Sequence, residues 1–114
     1  MPYINSKVSV SLSKEKEIEL KERLGKAIEA IPGKTETWLM VDIEDNCKLY
    51  FGGDNSKPMA YVDVKVLGSE NKAAFNAMTG VLCDVYKDVL GISPDKVYVT
   101  YQALANWGFN GSNF

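Results

Sequence analysis

The sequence predicts an α+β fold: two βαβ repeats forming one four-stranded mixed sheet with two helices on one face. Three observations lead there. Four segments alternate apolar and polar residues, as half-buried strands do. Two segments carry apolar residues at helical spacing. The order strand, helix, strand begins near residues 2, 13 and 38 and again near 59, 70 and 96, a repeat of roughly 57 residues.

Each element has its own warrant. From Pro2 to Val10, Ile4, Ser6, Val8 and Val10 share one parity, while Tyr3, Asn5, Lys7 and Ser9 share the other, which predicts a strand. Ser11 or Ser13 supplies an N-cap. Leu20, Leu24, Ala27, Ile28 and Ile31 then follow at helical spacing until Pro32-Gly33 stops the helix. Trp38 to Glu44 predicts a second strand with Leu39, Val41 and Ile43 on one face. Lys48 to Phe51 predicts a short strand ended by Gly52-Gly53, and Met59 to Leu67 a longer one. Ser69 is placed to cap a second helix whose buried stripe is Phe75, Met78, Leu82, Val85 and Val89, ended by Gly91. Ser93-Pro94-Asp95 turns the chain into a last strand, Lys96 to Tyr101.

Both helices are one-sided, so both cover the same sheet face. The opposite face carries Trp38, Met40, Tyr61, Leu67 and Tyr98 beside Asp42, Asp63, Lys65 and Thr100. So many large apolar side chains on one parity predict that another subunit covers that face; a scatter of exposed aromatics is the alternative.

The chain has 114 residues, 46% of them hydrophobic and 25% charged, with a net charge of −2, which excludes a disordered or disulfide-stapled chain and fits one domain, 1–114. No basic run marks a nucleic-acid footprint, and no apolar run is long enough for a membrane span. There is no basic start followed by an apolar stretch, so no signal peptide is expected and the cytosol is the expected compartment. Two cysteines, Cys47 and Cys83, lie far apart and read as buried or turn thiols. Histidine is absent, which removes the commonest metal ligand and the usual general base. Neither a metal nor a cofactor is expected, and no glycine-rich phosphate loop follows the first strand. Asn110-Gly111-Ser112 matches the N-glycosylation pattern and is expected to stay unused.

What remains for proton chemistry is Pro2. A small residue after the initiator permits loss of Met1, which would leave a secondary amine at the chain end. An α-amino group titrates near neutrality, and burial or a neighbouring cation lowers its pKa further, so a neutral base at pH 7 is available. If Met1 stays, the nitrogen of Pro2 is an amide and no base exists. Lys34, just past Pro32-Gly33, suits either the negative end of a helix or a substrate carboxylate. Tyr98 and Thr100 share a parity of the last strand, as ordinary strand residues or as site residues. Trp107 and Phe109, with Phe114, are candidates for an apolar pocket wall or for packing between subunits.

Met1-Pro2, Gly33-Lys34, Phe51-Gly52-Gly53, Ile92 to Tyr98 and Asn106 to Phe114 together resemble the macrophage migration inhibitory factor and D-dopachrome tautomerase family of the tautomerase superfamily. The resemblance implies a homotrimer with sites at the subunit interfaces, and phenylpyruvate tautomerase activity. It implies Pro2 as catalytic base, Lys34 on the substrate carboxylate, and Leu67 lining the pocket with its backbone. Tyr98 would come from the neighbouring subunit, with Trp107, Phe109 and Phe114 as walls and Trp38 in place of a rim tyrosine. The substrate would be a small aromatic α-keto acid. Thr100 replaces an asparagine found in vertebrate members, and Met59-Ala60-Tyr61-Val62 replaces a Cys-x-x-Cys pair, so disulfide exchange is not implied. The resemblance's other implication is a cytokine-like protein, exported without a signal peptide, that binds a cell-surface receptor through the trimer surface and keeps a vestigial pocket.

Overall fold

The alternation after Pro2 forms β1 (Pro2–Val8), and the repeated pattern forms the rest: α1 (Lys14–Ala27), β2 (Met40–Glu44), β3 (Ala60–Leu67), α2 (Lys72–Leu90) and β4 (Val97–Leu104). A computed structural model describes residues 1–114. The sheet order is β2-β1-β3-β4. β1 runs parallel to β2, and β3 parallel to β4. The halves join antiparallel, with Pro2 opposite Val66 and Val8 opposite Ala60. This is the mixed four-stranded sheet with two helices that the sequence predicts.

The repeat is 58 residues throughout. β1 and β3 begin at 2 and 60, the helices at 14 and 72, and two short 3-10 turns span Glu36–Trp38 and Pro94–Lys96. The caps follow the same offset. Ser13 accepts from the Lys16 N–H at 3.2 Å, and Asn71 accepts from the Ala74 N–H at 3.0 Å. Asn71, not Ser69, is therefore the second cap. Gly91, at φ 67°, closes α2 in the left-handed conformation that favours glycine.

One apolar core lies between the helices and the sheet. Ile4, Val8, Val62 and Val64 meet Leu20, Leu24, Ile28, Met78, Leu82 and Val85 there, all buried. Each large aliphatic side chain so buried contributes about 1.5–3 kcal/mol. Phe75 is only partly buried and stacks on Tyr101, with ring centroids 4.7 Å apart. The one hydroxyl pair inside the core satisfies itself: Ser6 Oγ and Tyr86 Oη are 2.5 Å apart.

Several predicted boundaries move. Trp38 lies in a 3-10 turn closed by the Leu39 N–H on the Glu36 carbonyl at 3.1 Å, so the second strand starts at Met40. Lys48–Phe51 forms no strand: the chain turns back at Gly52-Gly53, both at positive φ, and Phe51 bridges only Asp54. The first strand stops at Val8, and the last runs on to Leu104 because β3 offers partners through Leu67. The tail folds into a small hairpin of β5 (Gly108–Phe109) and β6 (Ser112–Asn113). Its turn is Asn110-Gly111, with both φ angles positive, at 52° and 91°. Cys47 and Cys83 are free and half-buried.

Candidate active site

At the start of β1, Pro2 is buried and lines an open cavity of about 580 Å³ with Trp38, Met40, Lys65, Trp107 and Phe109 among its walls. The aromatic wall has defined geometry. Trp38 and Phe109 meet edge to face at 5.5 Å, and Phe109 stacks with Phe114 at 6.3 Å. The hairpin brings these rings to Pro2, aided by the Phe114 N–H donating to the Trp107 carbonyl at 3.0 Å.

Lys34 reaches the same end of the sheet from the other side. The Lys34 N–H closes a turn on the Ile31 carbonyl at 3.1 Å, and Gly33 in that turn sits at φ 81°, the conformation a Pro-Gly turn requires. Its ammonium donates to the Leu67 carbonyl at 2.9 Å. Lys34 and Leu67 line an adjoining cleft of about 500 Å³. The Leu67 N–H donates to the Met1 carbonyl at 3.0 Å. The Met1 amino group is held below its ordinary pKa, first by burial and then by the nearby Lys34 charge. An amine at this chain end is therefore biased toward its neutral form.

Tyr98 and Thr100 are elsewhere. Tyr98 pairs with Tyr61, whereas Pro2 pairs with Val66, five residues further along β3 and about 17 Å away. Tyr98 packs on Phe51 at 4.9 Å and lines a separate cavity of about 160 Å³ with Lys96 and Tyr61. Thr100 Oγ1 lies 2.9 Å from Tyr61 Oη and donates to Asp63 at 3.5 Å. A single chain thus gathers Pro2, Trp38, Trp107 and Phe109 in one cavity, sets Lys34 and Leu67 beside it, and leaves Tyr98 and Thr100 apart.

The open sheet face is half polar, half apolar. Met40, Tyr61 and Tyr98 are exposed. Between them, Tyr3 Oη donates to Asp42 at 3.2 Å, Asn5 donates to Asp42 and Glu44 at 2.9 and 2.7 Å, and Lys65 pairs with Asp63. Burial, and then Asp42, raises the pKa of Tyr3, so its hydroxyl stays protonated as a donor.

Two features escape the sequence reading. The hairpin was signalled by Asn110-Gly111, the strongest short hairpin signal there is, but its flanking strands are only two residues long. Lys65 reads as an ordinary polar residue of the open face, and only the β1–β3 register brings it to the Pro2 cavity.

A family model described as macrophage migration inhibitory factor matches residues 1–114. Macrophage migration inhibitory factor of Mus musculus is 33% identical over 98 residues, covering 84% of this chain and 81% of the mouse protein. The crystal structure of Leishmania major MIF2 superposes with a TM-score of 0.90 at 31% identity, covering 100% of this chain and 97% of that one. A macrophage migration inhibitory factor homologue from Prochlorococcus marinus gives a TM-score of 0.86 at 29% identity, with 98% of each chain covered.

Proposed function

This chain belongs to the macrophage migration inhibitory factor family, and on that premise we propose that it is a homotrimeric keto–enol tautomerase of phenylpyruvate-like α-keto acids, with the nitrogen of Pro2 as general base once Met1 is removed. The observation that carries the reading is the state of the chain end. Burial and the Lys34 ammonium disfavour a charged amine on Met1, one residue before Pro2. Loss of Met1 moves that amine onto Pro2, in the wall of an aromatic cavity. A neutral secondary amine at pH 7 removes a proton from the enol oxygen and returns one to the carbon next to the keto group, an exchange that leaves the atoms of the substrate unchanged in number.

The same cleavage prepares the anion site. The Leu67 N–H loses its partner, the Met1 carbonyl, while Lys34 stays on the Leu67 carbonyl. One N–H and one ammonium then stand side by side for the substrate carboxylate, a charge-assisted pair. Trp38, Trp107 and Phe109 would flank the ring of the substrate.

Assembly supplies the rest. Tyr98 and Thr100 are too far along the sheet to serve the Pro2 of their own chain, and the exposed Met40, Tyr61 and Tyr98 need a cover. A neighbouring copy docked on the open face supplies both. The test is the ultraviolet absorbance of the phenylpyruvate enol, followed with the Met1-free protein and with Pro2→Gly. Rapid ketonisation is expected, with kcat/KM lowered about a hundredfold or more in the variant; a rate indifferent to Pro2→Gly overturns the assignment.

A further inference from the structure

The pairing of Pro2 with Val66 puts Pro2 between two residues of β3 that face the open side, Leu67 and Lys65. Leu67 carries the Lys34 ammonium on its carbonyl. Lys65 carries an ammonium of its own and lines the Pro2 cavity directly. Residues two apart on a strand stand about 7 Å from each other. Pro2 thus lies opposite the stretch of β3 between the two residues associated with an ammonium, Leu67 through Lys34 and Lys65 through its own side chain, although the rest of the cavity wall is mainly apolar.

Lys65 is held in place rather than left to wave in solvent. Its ammonium pairs with Asp63, two residues back on the same face, and lies 5.9 Å from the centre of the Tyr3 ring. About a third of its side chain is exposed. Asp63 also accepts from Thr100, so one carboxylate serves two donors and does not saturate the ammonium, which has three N–H groups. A lysine two-thirds removed from water, with N–H donors to spare and lining a cavity, favours an anion there.

We propose that Lys65 is a specificity-determining residue that selects α-keto acids bearing a second carboxylate, remote from the keto-acid end held by Lys34 and Leu67. A flat ring between the aromatic wall and Pro2 would direct a ring carboxylate away from Lys34 and toward Lys65. The reacting half of this ligand rests on the tautomerase reading; the second carboxylate rests on Lys65 alone.

The test compares phenylpyruvate with 4-carboxyphenylpyruvate. The preference is the ratio of kcat/KM for the diacid over the monoacid. It is expected to exceed ten in the wild-type protein, to fall at least tenfold in Lys65→Met, and to survive in Lys65→Arg, which keeps the cation. A ratio unchanged in Lys65→Met overturns the proposal, and so does a ratio lost equally in Lys65→Arg. If neither acid is turned over, the tautomerase reading fails, but the cation is still tested by equilibrium binding of 3-phenylpropanoate and its 4-carboxy analogue. At least tenfold tighter binding of the diacid, abolished by Lys65→Met, supports the second anion site; equal binding overturns it.

Discussion

The start of β1 and the start of β3 occupy equivalent places in two copies of one supersecondary unit, and only the first lies at a chain end, where loss of Met1 would free an amine. Met1, Pro2, Tyr3, Trp38 and Met40 correspond at the 58-residue offset to Met59, Ala60, Tyr61, Lys96 and Tyr98, and each set lines a cavity. Even the backbone repeats itself: the Leu67 N–H donates to the Met1 carbonyl at 3.0 Å, and its counterpart, the Ser9 N–H, donates to the Met59 carbonyl at 3.0 Å. In the second half that bond lies within the chain and is permanent. In the first it would be lost with removal of Met1. Lys34 corresponds to Ile92, which is fully buried, so one half offers a cation where the other adds to the core. The scaffold is common to both; what differs is a chain terminus and one lysine.

Moving the proline ring to the second half is the strongest way to break this contrast. Ala60→Pro places the same ring at the equivalent position, but its nitrogen remains acylated by Met59. No added tautomerase turnover is expected. Ala60 lies in a central strand between Val8 and Val97, where proline removes a donor from the ladder. A loss of about 1–3 kcal/mol in urea unfolding is expected; a gain in activity would show that the ring, not the free amine, is what matters.

Lys34→Ala makes the first half resemble the second. The KM for phenylpyruvate is expected to rise about tenfold, as loss of one charge-assisted bond predicts. The pH profile carries a sign. Lys34 holds the Met1 amine below its ordinary pKa, and the same positive charge acts in the same direction on an amine at Pro2, so removing it is expected to raise that pKa and leave less neutral base at any given pH. The acid limb of kcat/KM therefore moves to higher pH. A limb that stays in place would separate Lys34 from the base.

Tyr86→Phe probes a smaller asymmetry. Ser6 and Tyr86 form the buried hydroxyl pair, whereas their counterparts, Val64 and Ile28, are apolar and also buried. Loss of this bond is expected to cost about 1 kcal/mol in unfolding, with no change in KM; an unchanged midpoint would mean that the pair contributes nothing.

The repeat was legible in the sequence because its signals are local. The parity of Val62, Val64 and Val66 and the helical spacing of Leu20, Leu24 and Ile28 need no knowledge of the rest of the chain. Lys48–Phe51 shows the converse: a short segment ended by Gly52-Gly53 predicts a strand, but Phe51 finds only Asp54 across those glycines. Trp38 reads as part of a strand because a single 3-10 turn leaves little pattern in the sequence. At the site, Pro2, Lys34, Trp107 and Phe109 were identifiable by residue type and family resemblance. Lys65 was not, since a lysine on an exposed parity looks solvated until the β1–β3 register brings Pro2 between it and Leu67.

The proposed base is one nitrogen, and testing it needs no substitution of the mature chain. Protein shown by intact mass to begin at Pro2 should be compared with protein shown to retain Met1, in the same phenylpyruvate assay. The chain beginning at Pro2 is expected to be active near pH 7, and the chain retaining Met1 slower by about a hundredfold or more. Equal kcat/KM for the two would contradict the proposed base.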